Sequence, residues 1–225
     1  MKTYVLLTEK NWHDSMFESL QQFPEQRWIR ISNPNDLTAD RLIQLNPHTV
    51  FIPHWSYLIP KEIYERFECI VFHMTDVPFG RGGSPLQNLI VRGFQQTKIS
   101  AIRVEKGIDT GPVYLKRDLS LEGTAREIFE RAAGVIMSMI RQIISDNPQP
   151  LPQKGTEVKF KRRKQEDGNL AGLSELLKIY DYIRMLDCEG YPPAYLESDS
   201  IRYEFTEAKL NADQTLEARV RIVKK

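Results

Sequence analysis

Through residue 147, short apolar runs alternate with stretches of helical period. Continuous apolar or β-branched runs predict buried strands at YVLLT (4–8), TVFIPH (49–54) and CIVFH (69–73). RWIRIS (27–32) alternates, as a strand with one wetter face does. KISAIRVE and PVYLKRDL predict two further strands joined by an Asp-Thr-Gly turn. Between the strands, residues 12–22 predict a helix with Asn11 as N-cap and Asp14 in its first turn. Thr38 caps a helix running to about Leu45, and Pro60 opens a short one over 60–66. Ser84-Pro85 starts another. Thr124 with Glu127 forms a capping box for a long helix ending before Asn147-Pro148. Strands alternating with helices predict an α/β fold, a mostly parallel sheet with helices on both faces.

After Asn147 the pattern changes. NPQPLPQKG is a Pro-rich, extended connector, and the basic KFKRRK follows it. Leu173, Leu176, Leu177, Tyr180 and Ile183 keep helical spacing, so residues 174–187 predict an amphipathic helix. EGYPPAY reads as a turn or loop, and IRYEFTEAKL and LEARVRIV alternate as strands. The expected division is a catalytic domain over 1–150 and, over 151–225, a linker with a small α+β C-terminal appendage. No internal repeat or low-complexity tract interrupts it.

Composition narrows the function classes. With 41% hydrophobic and 27% charged residues in 225, a packed core is feasible. The formal net charge of +1 gives no global reason to bind nucleic acid or an anionic membrane, so any polyanion would have to meet a local patch. The two cysteines, Cys69 and Cys188, make a disulfide framework implausible and fit a reducing cytoplasm. The broken apolar run at the N-terminus is too short for a signal peptide, and no stretch is long enough to span a membrane. The expected location is cytoplasmic.

The candidate chemistry lies between Phe51 and Leu119. His73 ends an apolar strand, a Gly/Arg loop follows it, and Asp109 lies 36 residues further on in the Asp-Thr-Gly turn. Strand ends are rigid and open onto loops, so His73 and Asp109 read as a catalytic pair. A lone histidine at a strand end is more often structural; here the spacing of its neighbours favours chemistry. The loop Phe79-Gly-Arg-Gly-Gly83 reads equally as a plain tight turn or as an anion cradle formed by Arg81, Gly82 and Gly83 at a helix N-terminus. His13, His48 and His54 show no metal-ligand spacing, so no metal is expected.

His73-Met-Thr-Asp-Val-Pro78 with Gly80-Arg81-Gly82-Gly83-Ser84-Pro85 resembles the His-x-Ser-Leu-Leu-Pro…Arg-Gly-x-x-Pro segment of formyltransferases that use 10-formyltetrahydrofolate. Val104-Glu-Lys-Gly107-Ile-Asp109-Thr-Gly111-Pro112 resembles the Asp-Thr-Gly loop of that family. The resemblance covers about residues 1–150, and the short C-terminal part looks most like sugar N-formyltransferases of the pseudaminic-acid type. It is also similar to short proteins labelled methionyl-tRNA formyltransferases.

The resemblance implies a Rossmann-like formyltransferase fold with 10-formyltetrahydrofolate as donor. A primary amine attacks the formyl carbon to give a tetrahedral oxyanion. His73 would take the amine proton or stabilise the oxyanion, and Asp109 would orient His73. Trp55, Tyr57 and Ile59 correspond roughly to the folate-pocket segment, with Gly107 and Asp109; the alternative for the aromatics is an ordinary core. The family has an Asn two residues before the His, where this chain has Val71. Valine cannot donate to an oxyanion, so Asn88, Thr75 or a backbone N–H would have to stand in.

The acceptor expected from this resemblance is a nucleotide-linked amino sugar, with no nucleic acid and no membrane as partner; a homodimer is compatible with the sequence. Arg162 and Arg163, within the run Lys161–Lys164, would then meet the diphosphate, and Tyr191 would cover the acceptor. Such a run is otherwise a solvated face, and tyrosines in that segment otherwise pack the appendage. The alternatives are formylation of methionyl-tRNA, disfavoured here by chain length and charge, and a degenerate protein that binds folate or a nucleotide sugar without turnover.

Overall fold

The computed structural model describes all 225 residues. Eleven strands and six α-helices follow in chain order: β1 (Lys2–Thr8), α1 (Asp14–Gln21), β2 (Gln26–Ile31), α2 (Ala39–Leu45), β3 (Thr49–His54), α3 (Lys61–Tyr64), β4 (Cys69–His73) and β5 (Phe79–Gly82). Then come α4 (Pro85–Ile90), β6 (Gln96–Arg103), β7 (Val113–Ser120), α5 (Ala125–Asp146), β8 (Val158–Phe160), α6 (Leu176–Arg184), β9 (Ala194–Glu197), β10 (Ile201–Leu210) and β11 (Leu216–Lys224).

The main sheet has the order β2-β1-β3-β4-β6-β7. β1 pairs parallel with β2 and with β3, and β3 with β4, while β6 runs antiparallel to β4. The chain leaves β1 toward β2 and returns past β1 to β3. Right-handed crossovers therefore place α1 on one face and α2 and α3 on the other. The sheet is mostly parallel, as the alternation of elements predicts, and Rossmann-like, as the resemblance implies, and its strand order reverses between β1 and β3. Ligands of such sheets sit outside the carboxyl ends of the strands at this reversal. His54 and His73 end β3 and β4 on that side.

Two compact units are interleaved along the chain. The first comprises Met1–Gly82, Lys98–Leu119 and Glu130–Lys159, and the second Gly83–Thr97, Ser120–Phe129 and Phe160–Lys225. In the first, Val5, Leu7, Ile31, Leu42, Val50, Ile52, Ile63 and Cys69 form one apolar cluster. Each lies on a strand or helix face that the sequence period turns inward. Burial, with Glu68 adding, pushes the Cys69 thiol up to about 12, and both cysteines are free. No helix is long and apolar enough to cross a membrane.

Two caps form as expected: Thr38 Oγ1 accepts from Arg41 N–H at 3.2 Å, and Thr124 and Glu127 exchange hydrogen bonds at 2.8 and 3.3 Å. Asn11 does not cap α1; it opens a 3-10 turn, and α1 begins at Asp14. Two short strands differ from the expected loops. β5 is drawn into a two-stranded pairing with β8, and β9 joins β10 and β11. Both are set by partners distant in sequence, which local composition does not report.

In the second unit, β10 and β11 pair antiparallel from Ile201↔Lys224 to Thr206↔Arg219, with an irregularity before Lys209 where Glu207 takes φ 52°. Arg184 is buried but satisfied: it binds Asp181 at 2.7 Å and the carbonyls of Leu121 and Gly123 at 2.6 and 2.8 Å.

His13 is 1% exposed, and its Nδ1 lies 2.7 Å from Thr8 Oγ1. Burial first, then the charges of His54, Arg30 and Lys10, pushes its pKa down to about 3. The folded protein therefore keeps His13 neutral while the unfolded chain protonates it below about 6.5. This contribution is complete above that value and is lost as pH falls toward 3. Between pH 7 and pH 5 it should remove about 2 kcal/mol of stability. Urea unfolding at the two pH values should show that loss in the wild type and its absence in His13→Gln; equal pH dependence in both proteins would remove His13 as the cause.

Candidate functional site

His73 is the last residue of β4, and strand alternation puts it on the same face as Cys69 and Val71. Its side chain is 7% exposed. Nδ1 stands 3.4 Å from Asp109 Oδ2, and Nε2 stands 2.8 Å from the Gly80 carbonyl oxygen. That oxygen only accepts, so in this arrangement Nε2 carries a hydrogen and Nδ1 is the nitrogen turned to the carboxylate. The expected pair is thus brought together by loops from two parts of the chain.

Asp109 is held in an uncommon conformation. Its φ of 54° lies in the left-handed region, which Asp tolerates better than most residues. Its Oδ2 accepts the Gly82 N–H at 2.9 Å. Glycines make this geometry: Gly80, Gly82 and Gly107 have φ of 77°, 109° and 110°. A Cβ on Gly111 would lie 1.9 Å from the Arg103 carbonyl oxygen, so the loop must close tightly on the end of β6.

Arg81 does not present an idle guanidinium to an anion. Nη1 pairs with Glu157 at 2.7 Å, while Nε and Nη2 donate to Gln153 Oε1 at 3.1 and 2.8 Å. The Gly82 N–H is already given to Asp109. The Gly/Arg loop here works as a turn that grips the Asp109 carboxylate.

The remaining candidates divide between the two units. In the first unit, Trp55 and Ile59 pack against the apolar cluster, Tyr57 is exposed, and the Trp55 and Tyr57 rings stand 5.4 Å apart. Trp55 Nε1 is buried without a hydrogen-bond partner. Val71 packs against the same cluster, which accounts for an apolar residue at that position. The Thr75 hydroxyl is buried and donates to Gly80 O at 3.4 Å.

Asn88, Gly83, Arg162, Arg163 and Tyr191 belong to the second unit. The Asn88 amide donates to the carbonyls of Gly83, Ser84 and Lys161 at 2.9–3.1 Å and accepts from Arg92, so its hydrogens are engaged in holding that loop. Gly83 is needed for packing, since a Cβ there would fall 2.6 Å from the Cβ of Arg162. Arg163 donates to Asp167 O and lies 5.3 Å over the Tyr182 ring; Tyr191 stacks on Phe129 at 5.6 Å. No group of three or more His, Cys, Asp or Glu side chains is placed to hold a metal. Two contacts of this geometry escape the sequence: Gly80 lies in the quoted motif but acts through its carbonyl, and Gln153 lies in the connector.

The structure of a methionyl-tRNA formyltransferase from Clostridium thermocellum is 45% identical to this chain, covers 100% of both chains and superposes with a TM-score of 0.97. The chain belongs to the formyltransferase family. It is accordingly a folate-dependent N-formyltransferase, and the formyl donor of the family is 10-formyltetrahydrofolate. The methionyl-tRNA formyltransferase of Rickettsia africae is 27% identical over 206 residues, covering 86% of this chain and 67% of its own length.

Residues 165–223 match the family model described as "Methionyl-tRNA formyltransferase, C-terminal domain". By contrast, the formyltransferase PseJ from Anoxybacillus kamchatkensis, solved with a UDP-linked formamido sugar and tetrahydrofolate, is 20% identical, with a TM-score of 0.58 over 73% of this chain and 88% of its own. At that distance the likeness shows the fold alone.

These findings correct the expected acceptor. The nucleotide-sugar reading, with "no nucleic acid" as its corollary, rested on a chain too short for the C-terminal domain of the tRNA enzymes and on a net charge of +1. The appendage matches that domain, and a methionyl-tRNA formyltransferase exists at full mutual coverage. Net charge misled because it sums over all faces of the molecule, whereas a polyanion meets one local surface.

Proposed function

We propose that this formyltransferase acts on methionyl-tRNA, formylating the amine of the esterified methionine. The observation that carries the reading is the 45% identity over full length to a methionyl-tRNA formyltransferase, joined to a His73–Asp109 pair at the carboxyl end of β4. The donor supplies a formyl group activated by its folate nitrogen. In the proposed site, Trp55, Tyr57 and Ile59 line the folate side. The buried, unpartnered Trp55 Nε1–H fits such a ligand, because a buried donor left unpaired costs about 1–3 kcal/mol and an acceptor on the ligand removes that penalty.

As the amine nitrogen bonds to the formyl carbon, its proton is taken at His73 Nδ1, the ring nitrogen left without a hydrogen while Nε2 donates to Gly80 O. Asp109 offsets the charge the imidazole then carries. The same proton passes to the folate nitrogen as that nitrogen's bond to the formyl carbon breaks. The Gly80 carbonyl and the Gly82 N–H fix ring and carboxylate before substrate arrives, so little reorganisation is needed at the moment of reaction. With Val71 in place of an amide, no side chain two residues before His73 donates to the formyl oxygen.

The purified chain, given 10-formyltetrahydrofolate and charged tRNA, should place a formyl group on methionine released from the tRNA, read by mass spectrometry. The rate should fall with added salt, as contacts to phosphates weaken. No formylmethionine, at any salt concentration, would sink the assignment.

A further inference from the structure

Gln153 lies in the Pro-rich connector that follows α5, half-buried and two residues beyond a bridge that locks the connector onto the start of β7. In that bridge Val113 and Leu151 exchange backbone hydrogen bonds at 2.8 and 2.9 Å. The Gln153 side chain has four polar contacts. Nε2 donates to the carbonyls of Asp109 and Gly111, both at 2.8 Å. Oε1 accepts from Arg81 Nε and Nη2 at 3.1 and 2.8 Å. A guanidinium only donates and a carbonyl only accepts, so this orientation of the amide alone satisfies all four. A carboxylate would oppose two carbonyls, and an ammonium would oppose the arginine.

The contacts join the two loops of the catalytic pair. Arg81 lies between Gly80, whose carbonyl holds His73 Nε2, and Gly82, whose N–H holds Asp109 Oδ2. On the other side, the two carbonyls that Gln153 grips flank the turn in which Asp109 takes φ 54°. A non-glycine residue keeps a sparsely populated conformation only where its surroundings fix it. Here the fixing group comes from a third segment, 44 residues beyond Asp109.

We propose that Gln153 is a positioning residue for formyl transfer, holding Asp109 in register with His73, so that the connector completes the active site. The proposal rests on the formyltransferase reading of the His73–Asp109 pair. It predicts an effect on turnover and not on binding, because Gln153 reaches only backbone carbonyls and Arg81.

The test compares kcat and KM for 10-formyltetrahydrofolate and methionyl-tRNA in the wild type, Gln153→Met, Gln153→Glu and His73→Ala, with thermal melting as the check on folding. Gln153→Met removes both halves of the junction. Gln153→Glu keeps an acceptor for Arg81 and removes only the donors to Asp109 and Gly111. Both should lower kcat at least tenfold with each KM within about threefold, since displacements of about 1 Å reduce rates by up to a hundredfold.

A kcat within twofold of wild type in both variants, while His73→Ala is inactive, would overturn the proposal and leave the catalytic reading standing. A rise in KM with kcat unchanged would also overturn it. Failure of both variants to fold would make Gln153 a stability residue and reject the positioning role. Full activity in His73→Ala would instead bring down the catalytic reading itself.

Discussion

His73→Ala should lower single-turnover formyl transfer by about 10²–10⁴-fold, the range supplied by a positioned acid–base group. The ring is 7% exposed at the end of a strand whose pairings do not involve its side chain, so the sheet should survive its removal. Asp109→Ala should fall about as far. It removes the carboxylate facing Nδ1 and also leaves the Gly82 N–H without its acceptor. Asp109→Asn separates these roles, because an amide oxygen can still accept from Gly82 while the negative charge is gone. If charge matters, Asp109→Asn should resemble Asp109→Ala in rate and exceed it in thermal stability. Wild-type turnover in folded His73→Ala or Asp109→Ala would reject the pair as catalytic.

The second large effect is expected at Gly111. An added Cβ would meet the Arg103 carbonyl oxygen at 1.9 Å and its carbon at 3.0 Å. These are backbone atoms at the end of β6, and Arg103 N–H is bonded to Pro112 O at 2.9 Å, so neither side can yield by a rotamer change. Gly111→Ala must therefore push the turn outward, and Asp109 moves with it. Overpacking of this kind costs about 1–3 kcal/mol, and displacement of the carboxylate should reduce the rate by about a hundredfold.

Gly134→Ala is the matched control. Nothing lies within 4 Å of its Cβ, it sits inside α5, and alanine there should stabilise by about 0.5–1 kcal/mol with no change in rate. Melting curves and formyl-transfer rates of the two variants decide the point. Gly111→Ala behaving like Gly134→Ala would show that the loop is not rigid.

What the sequence revealed follows from which forces are local. β3 and β4 end where the sequence predicts, because a strand buried on both faces is written as an unbroken apolar run between polar residues. Thr38 and the Thr124–Glu127 box act within one helical turn and are equally readable. β5 and β9 are four residues each, and pairing with β8 and β10 makes them strands. The antiparallel course of β6 likewise depends on where the chain has room to return.

At the candidate site, His73 and Asp109 stand out because they meet through their side chains, whose types are written in the sequence. Gly80 contributes a carbonyl, and Gln153 sits among prolines that mark a linker. Chain length and net charge point to the wrong acceptor for a different reason: they are whole-molecule quantities, whereas a polyanion meets one local surface.

The order of the candidate-site segments along the chain also has a meaning for synthesis. His73 emerges first, Asp109 next, and Gln153 some 80 residues after His73. At roughly 5–20 residues per second, those 80 residues take on the order of 4–16 s. Over the last 44 of those residues, roughly 2–9 s, the growing polypeptide holds both the imidazole and the carboxylate without the amide that ties their loops together. Until the connector has been made, a nascent chain thus lacks the four hydrogen bonds by which Gln153 joins Arg81 to the turn of Asp109.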